Sequence, residues 1–84
     1  MQKGDRVRWY LFALGTEVDL HTPHWHGNTG IESGSYRRVD TVSLLPATSL
    51  VVDMIPDNPG IWMFHCHVND HINAGMTSLY RVTE

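Results

Sequence analysis

Eighty-four residues allow one domain at most, and a chain of that length buries only a modest core. A formal net charge of -3, with no basic cluster larger than Arg37-Arg38, gives nucleic-acid binding no electrostatic support. No apolar run approaches the ~18 residues that a membrane-spanning helix needs, and residues 1–5 lack the apolar stretch of a secretory signal.

The predicted elements are short strands. Residues 7–12 are rich in β-formers and partly alternating, and Gly15-Thr16 interrupts them. Residues 17–26 alternate loosely and end at the turn-rich Gly27-Asn28-Thr29-Gly30. Residues 36–45 read as a third strand with Arg38, Asp40, Val42 and Leu44 on one side, broken by Pro46-Ala47-Thr48. Residues 50–55 form a fourth. Asp57-Asn58-Pro59-Gly60 is a strong turn. Residues 61–68 and 77–82 complete the set, and residues 71–75 between them fit a loop or at most one helical turn. Short strands at regular spacing predict an all-β sandwich or barrel. Because the first strand starts almost at Met1, the expected sandwich lacks its N-terminal strands.

Cysteine and histidine carry the chemistry. Cys66 is the one cysteine, so no internal disulfide forms. A lone cysteine in a small domain is a buried apolar filler or a ligand. Three histidines fall close together at His21, His24 and His26, and the other three at His65, His67 and His71. Cys66, His71 and Met76 are each five residues from the next, across a strand end and the loop after it. A returning loop of this kind brings a thiolate, an imidazole and a thioether to one point. One more imidazole, for which His21 is the candidate, completes two His, one Cys and a weak axial Met. That set selects copper and makes an electron-transfer site, whereas zinc gains nothing from a thioether.

Strand geometry divides the histidines, because side chains alternate faces. With residues 17–26 as one strand, His24 and His26 share a face and His21 takes the other. In the later strand, Cys66 shares a face with Trp62 and Phe64, which look like core, while His65 and His67 share the opposite face with Ile61 and Met63. His21, Cys66, His71 and Met76 are thus expected inside the domain. His24, His26, His65 and His67 are expected as an outward-facing cluster. Trp9, Trp25 and Trp62 read as packing residues, Arg37 and Arg38 as a solvated edge, and Asn69 and Asp70 as turn residues or hydrogen-bond partners of the ligand loop.

These motifs resemble the multicopper oxidases, the family of laccases and ceruloplasmin. Residues 21–27 (HTPHWHG) are similar to the family's third copper motif and residues 65–76 (HCHVNDHINAGM) to its fourth. The resemblance implies a cupredoxin-like Greek-key β-sandwich, with residues 1–84 a single C-terminal domain or fragment of such an oxidase. It implies that His21, Cys66 and His71 bind a type 1 copper with Met76 axial, His24 a type 2 copper, and His26, His65 and His67 a type 3 pair. His71 would take electrons from a small reducing substrate. Cys66 would relay them through His65 and His67 toward dioxygen, which is reduced to water. The family's trinuclear centre uses eight histidines, so this chain carries a half-set. The remaining cupredoxin domains or neighbouring subunits would supply four more. Position 28 is Asn where many members have a further His. The resemblance also implies an extracellular or periplasmic location. A stand-alone blue copper electron carrier needs only the first ligand set and leaves four histidines without a role. Copies of the domain presenting their half-sets to one another form a third reading, and a metal-free sandwich a fourth.

Overall fold

The computed structural model describes residues 1–15 and 19–84. In chain order the strands are β1 (Val7–Ala13), β2 (Pro23–Trp25), β3 (Gly30–Glu32), β4 (Arg38–Val39), β5 (Thr48–Met54), β6 (Gly60–Cys66) and β7 (Thr77–Val82). A short helix, α1 (Asn69–Asn73), joins the last two. They form a four-stranded sheet in the order β1-β5-β3-β4 and a three-stranded sheet in the order β2-β6-β7, with every strand pair antiparallel. The all-β expectation holds.

Alternation decides which faces meet. In β1, Trp9, Leu11 and Ala13 turn inward while Tyr10 and Phe12 face solvent. In β5, Val52 and Met54 are buried, and in β7 Tyr80 and Val82 are. Trp25, Val42, Val52, Met54, Tyr80 and Val82 make the centre of the core, with Trp9, Trp62 and Phe64 packed against it. The aromatic rings interlock: Trp9 lies edge-on to Trp25 at 5.6 Å and to Tyr80 at 6.0 Å, and Trp25 packs on Phe64 at 5.2 Å. Each fully buried large side chain here contributes about 1.5–3 kcal/mol. The packing role expected of the three tryptophans holds.

Several elements differ from expectation. The predicted strand over 17–26 falls partly on Glu17 and Val18, which lie outside the described residues; of residues 19–26, only Pro23–Trp25 forms a strand, and His21 joins by an isolated bridge to Leu44. The predicted strand over 36–45 shortens to Arg38–Val39, because the segment changes partners. Gly30 and Ile31 pair with Val39 and Arg38 in the first sheet. From Asp40 onward the backbone turns to the other sheet: Trp25 N–H donates to Asp40 O at 2.8 Å, Val42 N–H to Pro23 O at 3.1 Å, and Leu44 N–H to His21 O at 2.8 Å. Val42 and Leu44 do share a buried side, whereas Arg38 and Asp40 are exposed. β3 was not expected, and β6 ends at Cys66 rather than running to Val68.

Candidate metal centre

Cys66 is the last residue of β6 and pairs in register with Pro23, the first residue of β2. That register sets Thr22 beside the sulfur, and its N–H reaches Cys66 Sγ at 3.5 Å. His21, one residue earlier, is pinned by reciprocal backbone hydrogen bonds with Leu44 of 2.9 and 2.8 Å. His71 rides on α1, which starts three residues after the cysteine. Three separate elements therefore bring His71 Nδ1 to 3.4 Å and His21 Nδ1 to 3.8 Å from Cys66 Sγ, and the potential ligand atoms of the three residues lie within 4.8 Å of one another. Met76 joins by backbone: its N–H donates to His71 O at 2.9 Å, and its carbonyl accepts from Cys66 N–H at 3.1 Å. Its side chain, 47% exposed, borders a cavity of about 610 Å³ shared with His21, Cys66, Leu44 and Phe64.

The electrostatics favour a thiolate. Burial alone would push the Cys66 thiol up. The N–H groups of Thr22 and Val68 and the imidazoles of His71 and His21 outweigh it and hold the thiol down to about 6. The hydrogen bond to Cys66 in turn raises the His71 pKa, and Asp19 adds to the effect. His71 Nε2–H donates to Asp19 Oδ1 at 3.2 Å. This bond fixes the ring orientation and leaves Nδ1 toward the sulfur, the role an outer carboxylate plays behind a ligating imidazole.

On the opposite face of the sheet, His65 of β6 gathers the other three histidines, His24 from β2, His26 just beyond it and His67 just beyond β6. His24 is directly across from His65 in register. His24 Nδ1 lies 3.2 Å and His26 Nε2 3.1 Å from His65 Nε2. His67 stacks within 5.5 Å of both His24 and His65, ring centre to ring centre, and His24, His65 and His67 form a second group able to hold an ion. His65 Nδ1–H donates to Cys66 O at 2.7 Å, which leaves Nε2 as the lone-pair nitrogen facing the group. Burial lowers the His24 pKa, and its neighbouring imidazoles add to that against Asp40. One expectation needs correction. The cluster is on the predicted face, but His65 is only 6% exposed. It lies on the middle strand of its sheet, and His24 and His26 cover it.

The donor chemistry fits copper. One soft thiolate and two imidazoles converge on the inner side, and imidazoles alone on the outer. Sequence reasoning missed Asp19, Thr22 and Asn28 as parts of this centre. Asn28 is buried and accepts from the N–H groups of Asp57 and Asn58 at 3.2 and 3.0 Å, so the position is a structural hub. Thr22 was findable: a strand pairing of Pro23 with Cys66 places it opposite His67, whose N–H donates to Thr22 O at 3.0 Å. Asp19 reaches His71 across 52 positions, and no local pattern announces that contact. Asn69 and Asp70 open α1, where Asp70 O caps the helix end by accepting from Ala74 N–H.

Comparison with known proteins agrees with this picture. The multicopper oxidase family profile matches residues 1–84. Hephaestin of Homo sapiens is 48% identical over 83 residues, which make up 98% of this chain and 7% of that protein. Ceruloplasmin of Homo sapiens is 43% identical over 90 aligned positions, covering all of this chain and 8% of that protein. The chain thus spans under a tenth of the length of these curated relatives. The crystal structure of a blue copper oxidase from Nitrosomonas europaea superposes with a TM-score of 0.85 at 28% identity, over 98% of this chain and 29% of that one. The two sheets are accordingly a cupredoxin fold.

Proposed function

The chain belongs to the multicopper oxidase family, and from that membership we propose that it supplies one electron-accepting copper site and half of the ligands of a dioxygen-reducing centre. The observation that carries this reading is the division of ligands between two faces of β6. Cys66 turns inward to His21 and His71, while His65 turns outward to His24 and His26.

Cys66, His21 and His71 would hold a type 1 copper, with Met76 bordering the same cavity. His24 would serve a type 2 copper, and His26, His65 and His67 a type 3 pair. Copper in these positions supplies one-electron redox chemistry. The residues do the rest. The N–H groups of Thr22 and Val68 keep the sulfur anionic, Asp19 orients His71, and the Cys66 carbonyl fixes the tautomer of His65. The peptide bonds on either side of Cys66 tie the inner ligand set to both His65 and His67 by a few covalent bonds. With copper bound, His71 and Cys66 would be the entry and relay residues for electrons from a small reducing substrate, in a laccase-like reaction.

A half-set needs a partner carrying the other four histidines, either further cupredoxin domains or a neighbouring subunit. The outer face supports one. Ile61, Met63 and Leu79 are exposed there, and Met63 and Leu79 pair directly across β6 and β7, on the face that carries His65. Exposed apolar residues grouped beside polar ligands mark a surface meant to be covered. Residues 1–84 would then be a single C-terminal-type cupredoxin unit of such an assembly, working outside the cytoplasm. Among the described residues no helix is long and apolar enough to cross a membrane.

Copper loading followed by visible and paramagnetic spectroscopy tests the reading. An intense blue band is expected and is expected to vanish in Cys66→Ser; a band that survives this change refutes the inner site. Replacing His24 and His67 together by Ala should keep the blue band but abolish dioxygen reduction by the assembled oxidase. Unimpaired dioxygen reduction would refute the outer site; a stand-alone electron carrier would instead reduce no dioxygen before or after the change and keep its electron transfer unharmed.

A further inference from the structure

His26 lies one residue beyond the end of β2, where the backbone ladder has run out. Its N–H is held by Met63 O at 2.9 Å. Its carbonyl has the Tyr80 hydroxyl as donor, from β7 on the far side of β6. Tyr80 is buried, with its ring edge-on to Trp9, and in register it pairs with Trp62. Its oxygen also accepts from Asn28 Nδ2 at 3.2 Å. Asn28 is locked through Asp57 and Asn58. Asn58 returns a hydrogen bond from Nδ2 to Gly27 O at 2.9 Å, and its carbonyl accepts from Trp62 Nε1 at 2.9 Å. The turn Gly27-Asn28 is thereby clamped on both sides of the residue that carries the imidazole.

We infer that Tyr80, braced by Asn28, is a positioning residue for His26: it fixes the backbone from which this imidazole reaches the outer histidine group. The inference rests on the outer group being a metal site, as proposed above, and deepens that reading. Among the described residues no sheet hydrogen bond holds the His26 carbonyl in its place. Without the hydroxyl the turn can rotate, and the 3.1 Å approach of His26 Nε2 to His65 Nε2 loses its support. Burial pushes the Tyr80 phenol up. The hydroxyl acts through the backbone and touches no ligand atom.

The test is Co(II) titration of the whole 84-residue chain carrying Cys66→Ser and His71→Ala, which leaves one imidazole in the inner group and the outer histidines as the strong ligands. Affinity is read by titration and the number of bound imidazoles by electronic and paramagnetic spectra. The unmodified outer group should bind one ion; failure to do so overturns the metal-site reading and this inference with it. Adding Tyr80→Phe, which keeps the ring and removes the donor, should weaken binding about 10- to 100-fold, as loss of an outer hydrogen-bond partner does. Its spectrum should then match that of His26→Ala, with one imidazole fewer. A Tyr80→Phe chain that is less stable to heat but binds with unchanged affinity and spectrum overturns the positioning role while leaving the metal site intact. Should Tyr80→Phe not fold, Asn28→Asp decides. It keeps the acceptor for Asp57 and Asn58 but loses the donor to Tyr80, so it should weaken binding in the same direction, and unchanged affinity overturns the inference. Tyr36→Phe, which alters an exposed hydroxyl, is the control that leaves binding unchanged.

Discussion

His65 Nδ1–H donates to the carbonyl oxygen of Cys66, its own neighbour in β6, at 2.7 Å. The bond closes a short ring between the residue that faces inward with its sulfur and the residue that faces outward with its imidazole. It also selects one tautomer, since a carbonyl can only accept.

From this follows a prediction for the metal-free chain. Above the range in which imidazole is protonated, His65 should populate the Nδ1–H form almost completely, with Nε2 unprotonated. Long-range nitrogen–proton NMR correlations on the histidine rings distinguish the two forms. A dominant Nε2–H tautomer at His65 would show that the carbonyl does not orient the ring.

The Cys66 thiol ionises near 6 in the folded chain, against about 8.5 in an unfolded one. A folded value below the unfolded one stabilises the fold at high pH. The contribution is complete above about 8.5 and is lost as pH falls toward 6. Metal-free protein should therefore lose thermal stability over that interval, relative to Cys66→Ala measured in parallel. Ultraviolet thiolate absorbance should titrate with a midpoint near 6. A midpoint at the ordinary thiol value would mean that the Thr22 and Val68 amides and the two imidazoles do not act as described.

Gly27 has φ +78, and a side-chain carbon built there would fall inside the indole of Trp62. Gly27→Ala meets both a disfavoured backbone conformation and the ring of Trp62, whose Nε1 is held by Asn58 O. Overpacking of this kind costs about 1–3 kcal/mol, so the denaturant midpoint should drop markedly at unchanged slope. An unaffected midpoint would show that Trp62 yields easily and that the turn is not tightly held.

Met76→Leu should keep the blue band, because the thiolate and both imidazoles remain, while raising the reduction potential of the copper-loaded chain through loss of a weak donor. Direct voltammetry reads the shift. A potential that stays put would remove Met76 from the ligand environment and leave it only its backbone contacts with His71 and Cys66.

How far the sequence discloses this arrangement depends on whether a feature is periodic. β7 was read over residues 77–82 as it forms, and the inward turn of Trp62, Phe64 and Cys66 follows from period-two alternation. β3 was not legible, because three residues are too few to show a period, and the pairing that makes Gly30–Glu32 a strand comes from Val39 on one side and Asp53 on the other. Residues 36–45 looked continuous because each half alternates. The change of sheet after Val39 is a matter of which neighbour accepts the next hydrogen bond, and composition does not encode that. The burial of His65 escaped for a related reason. Alternation gives a side but not depth, and depth came from the order β2-β6-β7, which puts this residue on the middle strand.

That middle position has a consequence for evolution and for engineering. Cys66 and His65, one from each ligand group, hang from opposite sides of a single pleated backbone, so the covalent path between them is fixed. Ligands may be exchanged for tuning without lengthening the route an electron travels. Adding or deleting one residue in this strand is another matter: it would turn the sulfur toward the imidazole cluster and an imidazole toward the core, silencing both centres at once.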